Sequence, residues 1–170
     1  MATNTYVALD KVTIGTATAS VTFSSISSAY TDLYIVGSVG VTAAADIFLN
    51  FNGDTTSGLY SFTQLGGDGS SALSQRASNQ NRVQLDFPGY AQTTLGATNF
   101  TISVQNYSNS TTNKTSLTRF NNMGGAAGLG TNATVGLWRN TNAITSVTLT
   151  ASGTTFLAGS TFSLYAIKSE

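Results

Sequence analysis

The side chains that most often carry chemistry are missing from this sequence or scattered along it. Its 170 residues contain no His and no Cys. That removes the usual general base, the thiolate nucleophile, the commonest zinc ligands and any Ser–His–Asp triad together. Acid–base chemistry would rest on Asp10, Asp32, Asp46, Asp54, Asp68, Asp86 and Glu170. Two carboxylates flanking a glycosidic bond can hydrolyse it, and Asp46, Asp54, Asp68 and Asp86 form the only set worth weighing for that role. Asp54, Asp68 and Asp86 stand beside or near Gly or Pro-Gly, where Asp is common because its side chain hydrogen-bonds the turn backbone. The reading therefore assigns no catalytic residue and no enzyme activity.

Two short motifs invite a ligand and lack its context. Asn50-Phe51-Asn52-Gly53-Asp54 gathers oxygen ligands as a calcium loop does, without the further spaced carboxylates or the bidentate Glu of an EF-hand. It reads as a turn, and no metal site is expected. Gly128-Leu129-Gly130-Thr131-Asn132-Ala133 fits the spacing of a dinucleotide fingerprint. No strand leads into it, no helix follows, and no acid lies about 20 residues on, so no cofactor is expected.

Charge narrows the partners. Charged residues are 8% of the chain and the net charge is zero, which offers neither a phosphate-binding surface nor an anionic-membrane patch. Nucleic acid and membrane are thus not expected partners, and no apolar run approaches the roughly 20 residues of a membrane helix. The N-terminal MATNTYVALDK has no basic segment followed by an apolar stretch, so it does not read as a secretory signal. The few charges are unevenly placed: residues 1–86 hold six acids beside Lys11, Arg76 and Arg82, whereas 87–169 hold Lys114, Arg119, Arg139 and Lys168 and no acid. That asymmetry is either chance or a device that orients subunits.

The elements that must carry such a surface are strands. About one residue in six is Thr, β-branched and suited to a pleated surface, while Gly and Asn supply turns. Exposed helices need charged outer faces that this composition lacks. Alternation of apolar and polar residues predicts strands over Lys11–Gly15, Ser20–Phe23, Asp32–Val39, Ile47–Phe51, Leu59–Leu65, Arg82–Phe87, Asn99–Asn106, Thr115–Phe120, Val135–Arg139, Ile144–Ala151 and Thr161–Ile167. In Arg82–Phe87, Val83, Leu85 and Phe87 take one face, and Arg82, Gln84 and Asp86 the other. The Gly/Ala stretch Met123–Gly130 reads as a loop, as do Gly66–Asn81 and Tyr107–Asn113. About ten short strands at intervals near ten residues, with no helix between them, predict an antiparallel β-sandwich of jelly-roll type. One domain over 1–170 with a short N-terminal arm, about 1–9, is the expected organisation.

Among the aromatics, Phe23, Phe48, Phe51, Phe87, Phe100 and Phe162 sit in apolar strands and are expected in the core. Tyr6, Tyr60, Tyr90 and Tyr107 are flanked by polar or turn residues and are expected to be partly exposed. Trp and Arg are enriched at interface hot spots, which makes Trp138, Arg139, Arg119, Phe120 and Tyr6 the interface candidates. For Trp138 a place in the core, an interface anchor and an aromatic platform for sugar all remain open.

Several stretches in order resemble small β-sandwich virion proteins of tailed bacteriophages, especially those of marine and cyanobacterial phages: TFSSISSAYTDLYIVGSV (22–39), IFLNFNGDTTSGLYSFTQLGGDGS (47–70), FTISVQNYSNSTTNKT (100–115) and VGLWRNTNAITSVTLTASGTTFLAGSTFSLYAIK (135–168). The resemblance implies a jelly-roll-like virion module, often oligomeric, on the capsid surface or in the tail, and it carries over no catalytic residue. The expected function is a capsid decoration or cement protein, made in the host cytoplasm and carried in the virion. Its expected partners are the major capsid protein and its own copies, as a homotrimer. The alternative is a tail-fibre or other tail-associated module that binds a host glycan through the loops at 66–81 and 107–113.

Overall fold

A computed structural model describes residues 5–123 and 130–168. The chain forms β1 (Tyr6–Thr13), β2 (Ser20–Phe23), β3 (Asp32–Val39), β4 (Ile47–Phe51), β5 (Tyr60–Gly67), β6 (Ala72–Gln80), β7 (Val83–Gln84), β8 (Thr98–Val104), β9 (Lys114–Asn122), β10 (Thr131–Trp138), β11 (Val147–Ala151) and β12 (Thr161–Ile167). They make an eight-stranded sheet ordered β1-β12-β3-β8-β9-β10-β5-β6 and a four-stranded sheet ordered β2-β11-β4-β7. Every ladder is antiparallel.

The connectivity is a jelly roll, as the sequence predicts. β2 pairs with β11, β3 with β8, β4 with β7 and β5 with β6, so the chain folds back on itself as a long nested hairpin wrapped over two sheets. The meander β8-β9-β10 widens one sheet in its middle, and β12 and β1 extend it beyond β3. The extra strands all join the same sheet, which makes one sheet twice as wide as the other.

The core lies between the sheets, where alternation along each strand turns every second side chain inward. β9 and β10 alternate cleanly between buried and exposed, as does β2. Leu33, Ile35, Ile102, Phe120, Val147, Leu149, Phe156 and Phe162 are among the fully enclosed side chains. Gly37 marks a close approach: its cross-strand partner Phe100 lays its ring where a Cβ would stand, and Phe100 stacks in turn on Phe120 at 5.9 Å. β4 is buried along its whole length because both its faces are covered. On the outside, the Arg82 guanidinium lies 3.7 Å from the Phe48 ring centroid, and Asn50 Nδ2 donates to the carbonyls of Asp54 and Asn81.

Several expectations are corrected. Residues 6–9 are not an arm: they belong to β1, held by the ladder to β12. The loop expected at 66–81 is mostly the β5–β6 hairpin. The strand expected over Arg82–Phe87 shortens to Val83–Gln84, with one further backbone bond from Leu85 N to the Ile47 carbonyl, and Gln84 and Asp86 are buried with the apolar residues rather than facing solvent. Tyr60 and Tyr107, expected to be partly exposed, are fully buried. The Tyr60 hydroxyl pays for that burial by accepting from Phe51 N and donating to the Asp54 carbonyl. The Gly/Ala stretch expected as a loop falls mainly on 124–129, outside the described residues.

Candidate interaction surface

The acids come first, because only they could do chemistry, and the fold separates them into local duties. Asp32 accepts from Asn106 N at 2.8 Å, Asp46 from Gly89 N at 2.7 Å, and Asp10 from Lys11 N at 2.7 Å. Asp68 closes the β5–β6 turn by accepting from Ser70 N and Ser71 N, which holds its carboxyl below the usual range. Burial pulls Asp54 upward, but hydrogen bonds from Thr56 and from Trp138 Nε1 outweigh it and leave the carboxyl lowered. Among the described residues no three His, Cys, Asp or Glu side chains gather around a metal position. The Asn50–Asp54 motif is a turn with Asn52 and Gly53 at positive φ. Asn52 Oδ1 is committed to Thr145 N and Ser146 N. Of the fingerprint-like run, Thr131–Ala133 lie in β10, an extended strand.

Asp86 is different, being fully enclosed. Ile47 N donates to its Oδ1 at 3.0 Å, Oδ2 has no hydrogen-bond partner among the described residues, and burial pushes its carboxyl well above the usual range. It sits in a polar seam that no sequence period announces. Gln64 Nε2 donates to the carbonyls of Gln84 and Asp86, while Asn132 Nδ2 and Thr134 Oγ1 both donate to the Leu85 carbonyl. After β7 leaves its ladder, these side chains of β5 and β10 satisfy three consecutive carbonyls that the core would otherwise strand. Gly136 gives the segment room: a Cβ there would stand 2.6 Å from Ser116 Oγ and 2.7 Å from Val83 Cγ1. The seam is thus a structural clamp.

The interface candidates divide. Trp138 and Phe120 are core residues: Trp138 packs on Phe51 and Tyr60 and donates to Asp54 Oδ2, and Phe120 stacks on Phe100. Neither can touch another chain while this fold is intact, which corrects their place among the candidates. Arg119 and Arg139 are exposed, and Tyr6 is 57% exposed, edge-on to Tyr34. Arg139 leans on Ser61 Oγ at 3.1 Å.

What sequence reasoning missed is a surface assembled by strand register. The outer face of the eight-stranded sheet carries two straight rows, each with one residue from every strand. The first runs Ala8, Tyr165, Tyr34, Ser103, Leu117, Val135, Thr63, Arg76. The second runs Lys11, Ser163, Val36, Thr101, Arg119, Ala133, Leu65, Ser74. At the usual strand spacing these rows are about 34 Å long. Leu65 is 63% exposed, Leu117 54% and Val135 53%. The rows contain cations and no carboxylate, and a shallow groove lined by Leu65, Gly66, Gly67, Thr131 and Ala133 runs beside Arg119. Leu117 is directly opposite Val135 across β9 and β10, although 18 positions separate them in the sequence.

No family model and no curated protein matches the chain. Among solved structures, a human SPRY domain is similar over 100% of this chain and 96% of that one, at 9% identity and a TM-score of 0.34. That likeness is too slight to carry an argument about fold or function.

Proposed function

We propose that this protein is a structural component of a tailed-bacteriophage virion: a decoration or cement protein held on the capsid surface by the outer face of its eight-stranded sheet. The observation that supports this reading is the pair of rows across that face, with exposed Leu65, Leu117 and Val135 beside cations and no acid. An outer sheet face ordinarily carries polar side chains content in water, and contiguous apolar area on a surface marks contact with another molecule. These three side chains are a little over half exposed, so taking the remainder out of water contributes about 1–1.5 kcal/mol each. The mechanism is mass action: a contact made to the assembled shell and not to free shell subunits stabilises the shell, by about 2.7 kcal/mol when the protein is at a hundred times its dissociation constant. No step of this function calls for a catalytic group or cofactor.

The decisive measurement is the copy number of this protein in purified virions relative to the major capsid protein. A near-stoichiometric ratio supports a place on the shell lattice. A handful of copies moves the protein to the tail, where the host-glycan alternative takes over, and absence from particles overturns the virion reading. Arg119→Glu then tests the face: shell binding is expected to weaken about tenfold or more if acidic groups of the shell meet it.

A further inference from the structure

We propose that β6 is the edge through which the protein pairs with a second copy of itself, antiparallel about a two-fold axis at Gln75, continuing the eight-stranded sheet across the dimer. Among the described residues the large sheet ends in β1 on one side and β6 on the other, and each edge there presents a row of backbone N–H and C=O groups with no neighbouring strand, the usual template for a further one. The two edges are not alike. β1 is irregular between Ala8 and Asp10 and carries Asp10 and Lys11, which is how sheet edges are guarded. β6 carries one charge, Arg76, in nine residues, has no Pro, and keeps regular register from Ala72 to Ala77. Ala72, Leu73, Ser74, Arg76 and Ser78 are exposed, while Gln75 and Ala77 are half-buried toward the core, so the outer face of the strand is open.

The sequence of β6 also fixes the register. Asn79 has φ 56° and breaks the extended run, leaving Ala72–Ser78 with Gln75 at its centre. A two-fold axis there sets Gln75 against itself, Ser74 against Arg76 of the second copy, and Leu73 against Ala77 of the second copy. A register centred on Arg76 would bring two guanidinium groups together, which is unfavourable. The pairing closes on itself and leaves only guarded β1 edges outside, so it ends at a dimer instead of growing into a ribbon. This is a two-fold contact in place of the trimer expected from the sequence.

The proposal deepens the assembly reading by naming its self-contact, and it is tested on purified protein, so shell binding and dimerisation fail or stand separately. Sedimentation velocity over about 1–100 µM is expected to show a dimer. Ser74→Lys, opposing Arg76 of the second copy, is expected to weaken it about tenfold, and Ser74→Glu to tighten it several-fold. Gln75→Lys and Gln75→Glu are each expected to be monomeric and to form a mixed dimer when combined. A monomeric or trimeric wild type overturns the proposal, as does an undisturbed dimer in Ser74→Lys. Ser74 is exposed, so its two variants decide the matter even if Gln75→Lys fails to fold.

Discussion

The two outer faces of the sandwich are built from similar residues and come to opposite ends. On the small sheet the polar side chains satisfy one another: Thr22 and Thr148 hydroxyls bond at 2.9 Å, and Thr42 bonds Thr154 and Thr155 near its end. Phe48, the large apolar group on that face, lies under Arg82. On the large sheet, Leu65, Leu117 and Val135 are more than half exposed with no such cover among the described residues, and Arg119 is exposed among them. The comparison teaches that low charge and abundant Thr do not themselves make a surface sticky. What matters is whether the apolar groups are roofed by the chain's own side chains, and only the small sheet roofs them.

Three measurements can break or sharpen this contrast. The largest effect is expected from Phe48→Ala on the roofed face, which should cost about 3 kcal/mol of stability in urea unfolding while shell binding stays unchanged. A stability loss below about 0.5 kcal/mol would mean that the Arg82 roof is not holding anything. On the open face, Leu117→Asp should do the reverse: stability should fall by only about 1 kcal/mol, from lost strand propensity and the pair with Val135, while shell binding falls by about tenfold to a hundredfold. Equal losses of stability from both variants would abolish the distinction between the faces.

The smallest effect concerns Asp86, at the seam beneath both faces. Its folded-state value lies well above the usual carboxyl range, so the native state holds a proton that the unfolded chain has already released. Its contribution is therefore fully present below the unfolded value of about 3.9 and is lost as pH rises through the folded value. Asp54 and Asp68, with lowered values, act in the opposite sense and lose their stabilisation as pH falls through their own folded values. Thermal unfolding followed from pH 4 upward should show the Asp86 decline in the wild type and not in Asp86→Asn. An identical slope in the two proteins would sink this assignment.

Much of the architecture was legible where a strand buries at least one face. Ser20–Phe23, Asp32–Val39, Ile47–Phe51 and Thr161–Ile167 have the bounds that alternation predicts. β6 was not legible, because ALSQRASNQ turns only Gln75 and Ala77 part-way toward the core and so has no apolar period to read. Gln64, Asn132 and Thr134 were equally silent: buried polar residues are chosen by the carbonyls they serve, and those lie up to 49 positions away. The candidate surface could not be read from spacing at all, since Leu117, Val135 and Leu65 meet only once β9, β10 and β5 have taken their register.

The clamp on Gln84–Asp86 has a consequence for the order of folding. Apart from Gln84 Nε2, which reaches the Asp86 carbonyl from within the segment, its donors stand on β5 and β10, so they are correctly spaced only after those two strands have paired. The ladder to β4 is short: two paired residues, extended by the Leu85 N bond to the Ile47 carbonyl and by Ile47 N donating to Asp86 Oδ1. β7 is therefore expected to settle after β5 and β10 have paired, a keystone set after the arch, and hydrogen exchange should show the amides of Val83–Leu85 opening before those in the middle of β9 and β10.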